Sequence, residues 1–126
     1  MDLFADFITR LRNSQTVKKN KFVSRKTNKN LAFSKALLKS GYIRGIEKHD
    51  KYNFNVLLKY NHSGLPVIRS IKLISKPGKR VYMSKKELSQ HVSSSFDIFL
   101  TTNKGILTHV EALKLNLGGE ILCIIR

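Results

Sequence analysis

Phe4, Phe7, Ile8 and Leu11 fall on one helical stripe, which predicts an amphipathic helix opened by Asp2 as its cap. Asp6 and Arg10 sit four apart on another face and are placed to pair. Phe22 and Val23 alone interrupt the polar segment 16–30 and predict a short strand. A second helix is predicted over about residues 30–40, burying Ala32, Phe33, Ala36 and Leu37, with Gly41 as its stop. Residues 43–47 and 53–60 read as strands around the turn His49-Asp50-Lys51. In the second of them Phe54, Val56, Leu58 and Tyr60 alternate with more polar neighbours, as half-buried antiparallel strands do. Asn61, His62, Ser63 and Gly64 then cluster as turn residues between apolar segments and mark a linker.

Beyond it a strand is predicted over 67–74, stopped by Ser75-Lys76-Pro77-Gly78. Pro presets φ and Gly accepts positive φ, as a type II turn requires. Residues 79–82 resume a short strand. Ser84 with Glu87, and Thr108 with Glu111, are capping boxes that each open a brief helix. Residues 97–100 form a strand, and residues 101–108 are predicted to connect it directly to the second capped helix, which ends near Asn116. Gly118 and Gly119 break the chain before a closing strand, 120–126, apolar enough for burial on both faces. The predicted fold is α+β in two small lobes. Residues 1–62 form an N-terminal α-β-α-β-β lobe, and residues 63–126 a C-terminal, mostly-β lobe with short helices.

Charge changes the picture most. Lys and Arg number 24 against 8 Asp and Glu, a net charge of +16 over 126 residues. Residues 1–63 carry 14 basic and 4 acidic groups (+10), and residues 64–126 carry 10 and 4 (+6), so the excess is not confined to a tail. Such self-repulsion is relieved by a polyanion, with RNA or DNA the natural partner and an anionic membrane surface the second. No apolar run approaches the roughly 20 residues of a membrane span. Met1-Asp2-Leu3-Phe4 resembles neither a signal peptide nor a transit sequence, and the protein is expected to act where it is made.

Enzymatic chemistry finds little footing. His49, His62, His91 and His109 are too dispersed for a local metal motif, and Cys123 has no CxxC partner. There is no Gly-Lys-Ser/Thr phosphate loop. Caps and surface pairs account for most carboxylates. No catalytic residue, metal, cofactor or small-molecule substrate is expected.

Nucleic-acid chemistry fits better. Thr101, Thr102, Asn103, Lys104 and Gly105 place hydroxyls, an amide, an ammonium and a Cβ-free backbone at one junction. Short donors and acceptors of this kind suit base edges and 2′-hydroxyls. An ordinary connection, with Gly105 as turn residue and Thr108 as cap, explains the same local pattern equally well. Lys18, Lys19, Lys21, Lys26 and Lys29 lie in a stretch without acids and are candidates for phosphate contact. Tyr82 beside Arg80 offers a stacking ring, although a lone strand tyrosine also suits half-buried packing. Glu120 is placed to accept from a base amino group or to orient Lys104, or is a plain surface residue.

Five motifs occur in order: Thr9-Arg10-Leu11-Arg12-Asn13, Gly41-Tyr42-Ile43, Ser75 to Tyr82 (Ser-Lys-Pro-Gly-Lys-Arg-Val-Tyr), Thr102-Asn103-Lys104-Gly105 and Gly118-Gly119-Glu120. Together they resemble the eighth protein of the small ribosomal subunit in its bacterial and organellar form, over essentially the whole chain. The resemblance implies a two-domain α+β protein, a structural constituent of the small subunit that binds the central domain of its rRNA early in assembly, beside neighbouring ribosomal proteins. It implies that the C-terminal lobe grips RNA through a loop usually reading Ser-Thr-Ser-Lys-Gly, here Thr101 to Gly105. Tyr82, Gly118, Gly119 and Glu120 match the family's other motif positions, and the N-terminal lysines would touch neighbouring RNA.

Departures include Thr101 and Asn103 in place of serines, Lys79 where an apolar residue is common, no proline within Val23-Ser24-Arg25-Lys26, and His109 in place of an acid. A glycine-rich turn is also lost to Ser94-Ser95-Phe96. Lysines far outnumber arginines, which fits an AT-biased gene. With no transit sequence, this points to an organelle-encoded, mitochondrial ribosomal protein, with plastid and low-GC bacterial cytoplasm as open alternatives. A general RNA- or single-strand-binding protein outside the ribosome is the rival reading.

Overall fold

A computed structural model describes residues 2–126; Met1, part of the N-terminal stretch read above, lies outside them. The carboxylate of Asp2 accepts the N–H groups of Phe4 and Ala5 and so opens helix α1 (Leu3–Thr16). The predicted apolar stripe faces inward, and its rings meet Phe22 of strand β1 (Lys21–Arg25) and Phe33 of helix α2 (Asn28–Lys39). Phe4–Phe33 and Phe7–Phe22 are edge-to-face pairs with centroids 5.0 and 5.4 Å apart, a favoured aromatic geometry. Thr27 caps α2, whose inner face carries Asn30, Phe33, Ser34 and Leu37. Ala32 is exposed rather than buried, because the helical period seats Asn30 inward instead. Asn30 tolerates burial by directing its amide nitrogen at the carbonyls of Leu3 and Arg25 and at the Ser24 hydroxyl, at 3.3–3.4 Å.

Gly41, at φ +82°, ends α2 as expected, with the Tyr42 N–H reaching back to the Leu37 carbonyl. Strands β2 (Ile43–Lys48) and β3 (Asn53–Leu58) complete an antiparallel sheet of order β1-β3-β2. Because β3 is central, its polar Asn55 is buried too, and its amide donates to Glu47 at 3.0 Å.

The chain divides into two compact units, Met1–Arg69 and Ser70–Arg126. The boundary thus falls seven residues later than the sequence suggests. Asn61 folds the supposed linker into a tight reversal, its side-chain oxygen accepting the N–H groups of Ser63 and Leu65. Pro66 then bridges to Tyr60, and the Val67 N–H bonds to the Lys59 carbonyl at 3.1 Å, so residues 63–69 return to the first unit. The strand predicted over 67–74 is accordingly only β4 (Ile71–Leu73).

In the second unit Gly78, at φ +80°, makes the predicted turn, with Lys76 and Lys79 exchanging backbone bonds. Strand β5 (Tyr82–Met83) precedes α3 (Lys85–Ser89), and both capping boxes form. Strands β6 (Asp97–Thr102), β7 (Gly105–Thr108) and β8 (Gly119–Ile125) join β4 in an antiparallel sheet of order β4-β8-β6-β7, with β5 also pairing β8. Helix α4 (His109–Lys114) follows β7 directly. Leu88 of α3 and Ala112 of α4 pack with Ile98, Leu100 and Ile121 of the sheet as the core. Residues 101–108 are therefore not a strand-to-helix connection. They form a β-hairpin, and the helix begins only after its second strand.

His109 is a buried structural histidine. Its Nδ1 accepts the Ile98 N–H at 3.1 Å, which leaves the proton on Nε2 to donate to the His91 carbonyl.

Candidate nucleic-acid interface

Strand register assembles the C-terminal candidates. Glu120 of β8 lies opposite Tyr82 of β5 on one side and Thr101 of β6 on the other, and Thr101 in turn faces Ile106 of β7. Directly opposed residues project to the same face of a sheet. Tyr82, Glu120, Thr101 and Ile106 thus form one transverse row, on the face opposite core residue Ile121. Two strand spacings separate Tyr82 from Thr101, roughly 10 Å. Tyr82 is 66% exposed, so its ring is not the half-buried packing group that was the alternative. Arg80 reaches Glu120 at 3.3 Å, with side chains 46% and 17% exposed, so this acid orients Arg80 rather than Lys104.

The hairpin tip adjoins the row. Neither Asn103 nor Lys104 has positive φ, whereas Gly105 sits at φ +102°. This is the arrangement of a turn followed by a left-handed glycine, which fits strands of right-handed twist. The Thr102 hydroxyl donates to the Gly105 carbonyl at 2.9 Å and accepts the Lys104 N–H at 3.1 Å. Thr102 is thus a fastener of the turn more than a free reader. Asn103 and the Lys104 ammonium are exposed and have no side-chain partner among the described residues, so the tip presents an amide and a cation.

Gly118 and Gly119 act by absence. A Cβ on Gly118 would lie 2.6 Å from the Met83 carbonyl oxygen, and one on Gly119 would collide with the Thr101 carbonyl. Both glycines let β8 close against its neighbours, which sets Glu120 in the row. Ile106 is the member that local pattern did not single out; a hairpin register drawn from Gly105 is the signal that finds it.

The lysine candidates belong to the first unit. Lys21 pairs with Glu47 at 3.2 Å, and Lys29 lies over the Phe4 ring at 4.6 Å. Asn55 and then Lys21, by hydrogen bonding to it, hold the Glu47 carboxyl below its ordinary pKa. Lys18, Lys19 and Lys26 are exposed, with no side-chain partner among the described residues. No cluster of three or more His, Cys, Asp or Glu suited to a metal occurs among the described residues, and no helix is long and apolar enough to cross a membrane.

Residues 2–125 match the family model described as Ribosomal protein S8. The chain belongs to the ribosomal protein S8 family. Within it, the small ribosomal subunit protein uS8 of Blochmanniella pennsylvanica is 40% identical over 124 residues, covering 97% of this chain and 95% of that protein. The uS8 proteins of Campylobacter hominis and Bartonella henselae are 36% and 40% identical, each again covering 97% of this chain and 95% of its own length. The S8 family is a structural, ribosomal one, and these relatives are bacterial.

Proposed function

We propose that this S8-family chain is a non-catalytic constituent of the small ribosomal subunit that binds the central domain of small-subunit rRNA and supports its assembly beside neighbouring ribosomal proteins. The observation that carries the reading is the row Tyr82–Glu120–Thr101 beside an exposed Asn103-Lys104 tip, on a chain of net charge +16. Lys104 and Arg80 meet phosphates. Asn103 offers donor and acceptor to a base edge or a 2′-hydroxyl, and the exposed Tyr82 ring offers a stacking face. Thr101 adds a short hydroxyl, Gly105 lets backbone approach, and Gly118 and Gly119 act by placing Glu120. Lys18, Lys19 and Lys26 add sequence-independent affinity, with smaller shares from the engaged Lys21 and Lys29.

A single-strand-coating protein would stack successive bases on several aromatics. In the second unit Tyr82 is the one strongly exposed ring among the described residues.

Co-sedimentation tests the assignment. The tagged chain is expected in the small-subunit peak of a sucrose gradient and to stay there through a moderate salt wash. A chain found only at the top of the gradient would contradict it. A mitochondrial, organelle-encoded origin is supported by the excess of Lys over Arg, and sequencing the gene's neighbourhood checks it: an organellar genome is expected, and a bacterial chromosome would overturn it.

A further inference from the structure

Arg12 and Gln15 of α1, Lys18 just past its end, and Arg69 line one open hollow of about 240 Å³ with Pro66 and Ile68. All belong to the first unit. No carboxylate lines it, so three cations share a space smaller than the roughly 300 Å³ and above of ordinary small-molecule pockets. That size suits an oxyanion better than a nucleoside, and an anion relieves the repulsion among the three.

Two further observations point the same way. Gln15 is only 7% exposed, and its side-chain nitrogen is buried with no hydrogen-bond partner, a rare condition for a buried donor. Lys18 occupies the left-handed conformation, φ +56°, at the position where helix ends most often place glycine. The Lys19 N–H bonds to the Ser14 carbonyl at 2.9 Å and the Lys18 N–H to that of Gln15 at 3.1 Å, closing the helix around this residue. A lysine there accepts backbone strain that glycine would avoid, and it brings an ammonium to the hollow. Offsetting the negative end of the α1 dipole accounts for Lys18, just past that end, but not for Arg12, since the last turn of the helix holds no basic residue. Nor does it account for Arg69, which arrives from a distant part of the chain, or for the unpartnered Gln15 nitrogen.

We propose that this hollow is a phosphate site that holds one phosphate of the RNA backbone, separate from the hairpin row. Arg69 supplies a planar donor fork and Lys18 a point charge, Arg12 adds positive potential beside them, and the buried Gln15 amide turns outward to become the remaining donor. The proposal rests on the rRNA-binding reading above.

The test follows the Gln15 side-chain amide by NMR in the full-length chain, titrated first with inorganic phosphate and then with a central-domain rRNA fragment. The fragment is expected to shift the Gln15 signal. The double variant Lys18→Gly, Arg69→Gln is expected to remain folded and to reduce the slope of log affinity against log salt by about 1–2. The proposal is overturned if the fragment moves the Asn103 and Lys104 signals while Gln15 stays put and the slope is unchanged. A Gln15 shift with phosphate but not with RNA overturns the RNA assignment and leaves a free-phosphate site. If Asn103 and Lys104 do not move either, the functional reading fails separately, and a Gln15 signal unmoved by phosphate then removes the site as well.

Discussion

The Thr102 hydroxyl and the Gly105 carbonyl meet at 2.9 Å across the tip of the β6–β7 hairpin, and the same hydroxyl receives the Lys104 N–H. One side chain therefore fixes the turn that presents Asn103 and Lys104. Thr102→Val keeps the shape and removes both bonds. It is expected to cost about 1 kcal/mol in urea unfolding, since exposed bonds contribute modestly. Specific RNA affinity should fall with it, and Thr102→Ser should restore both. A valine variant of full stability would show that the hydroxyl does not hold the tip.

Glu120 is an acid on the face proposed to meet RNA, and its partner there is Arg80 at 3.3 Å. Glu120→Gln removes one repulsion and loosens Arg80. Binding to a plain RNA duplex should strengthen slightly, whereas preference for the central-domain fragment should drop several-fold. Competition binding with both RNAs reads this directly, and an unchanged preference would leave Glu120 without a recognition role.

Two glycines are predicted to fail differently. Gly119→Ala drives a Cβ into the Thr101 carbonyl and should destabilise by on the order of 3 kcal/mol. Gly105→Ala meets nothing within 4 Å but is held at φ +102°, so its cost should be nearer 1 kcal/mol. Equal effects in thermal unfolding would contradict the packing account of Gly119.

Much of this architecture was legible in the chain. The Phe4–Leu11 stripe, both capping boxes, the Pro77-Gly78 turn and the doubly buried closing strand all follow from period and turn chemistry. What escaped was set at longer range. The 101–108 hairpin was hidden because Gly105 suits a loop and a hairpin turn alike, and only the pairing of β7 with β6 decides between them. The unit boundary moved because Asn61 turns the chain back on itself, a use of the Asx side chain that looks the same as a linker in sequence. The row at Tyr82, Glu120 and Thr101 depends on register across three strands, which no local pattern encodes.

The five lysines of the first unit are not equivalent. Replacing Lys18, Lys19 and Lys26 together with Gln should flatten the salt dependence of RNA binding by about 2–3 in log–log slope. Replacing Lys21 and Lys29 should change it by less than half as much, because Glu47 and the Phe4 ring already engage them. Equal slopes would show that these contacts do not matter to binding.

Cys123 is fully buried, and burial pushes its thiol well above the ordinary value. The folded state therefore keeps a proton that the unfolded chain releases above about pH 8.5. Its contribution to stability is full below that pH and declines as pH rises toward the folded-state value. Ellman's reagent at pH 8 should react only as fast as the second unit opens, and much faster in urea. Immediate labelling of the native chain would contradict the burial.

The central claim is recognition of small-subunit rRNA by the hairpin row, and paired salt titrations test it most directly. Wild type and the Thr102→Ala, Asn103→Ala double variant are each measured against the central-domain fragment and a duplex of equal length. Wild type should prefer the fragment, and the variant should lose that preference with its salt slope nearly unchanged. Equal affinity of the wild type for both RNAs, or a variant that binds as the wild type does, would contradict it.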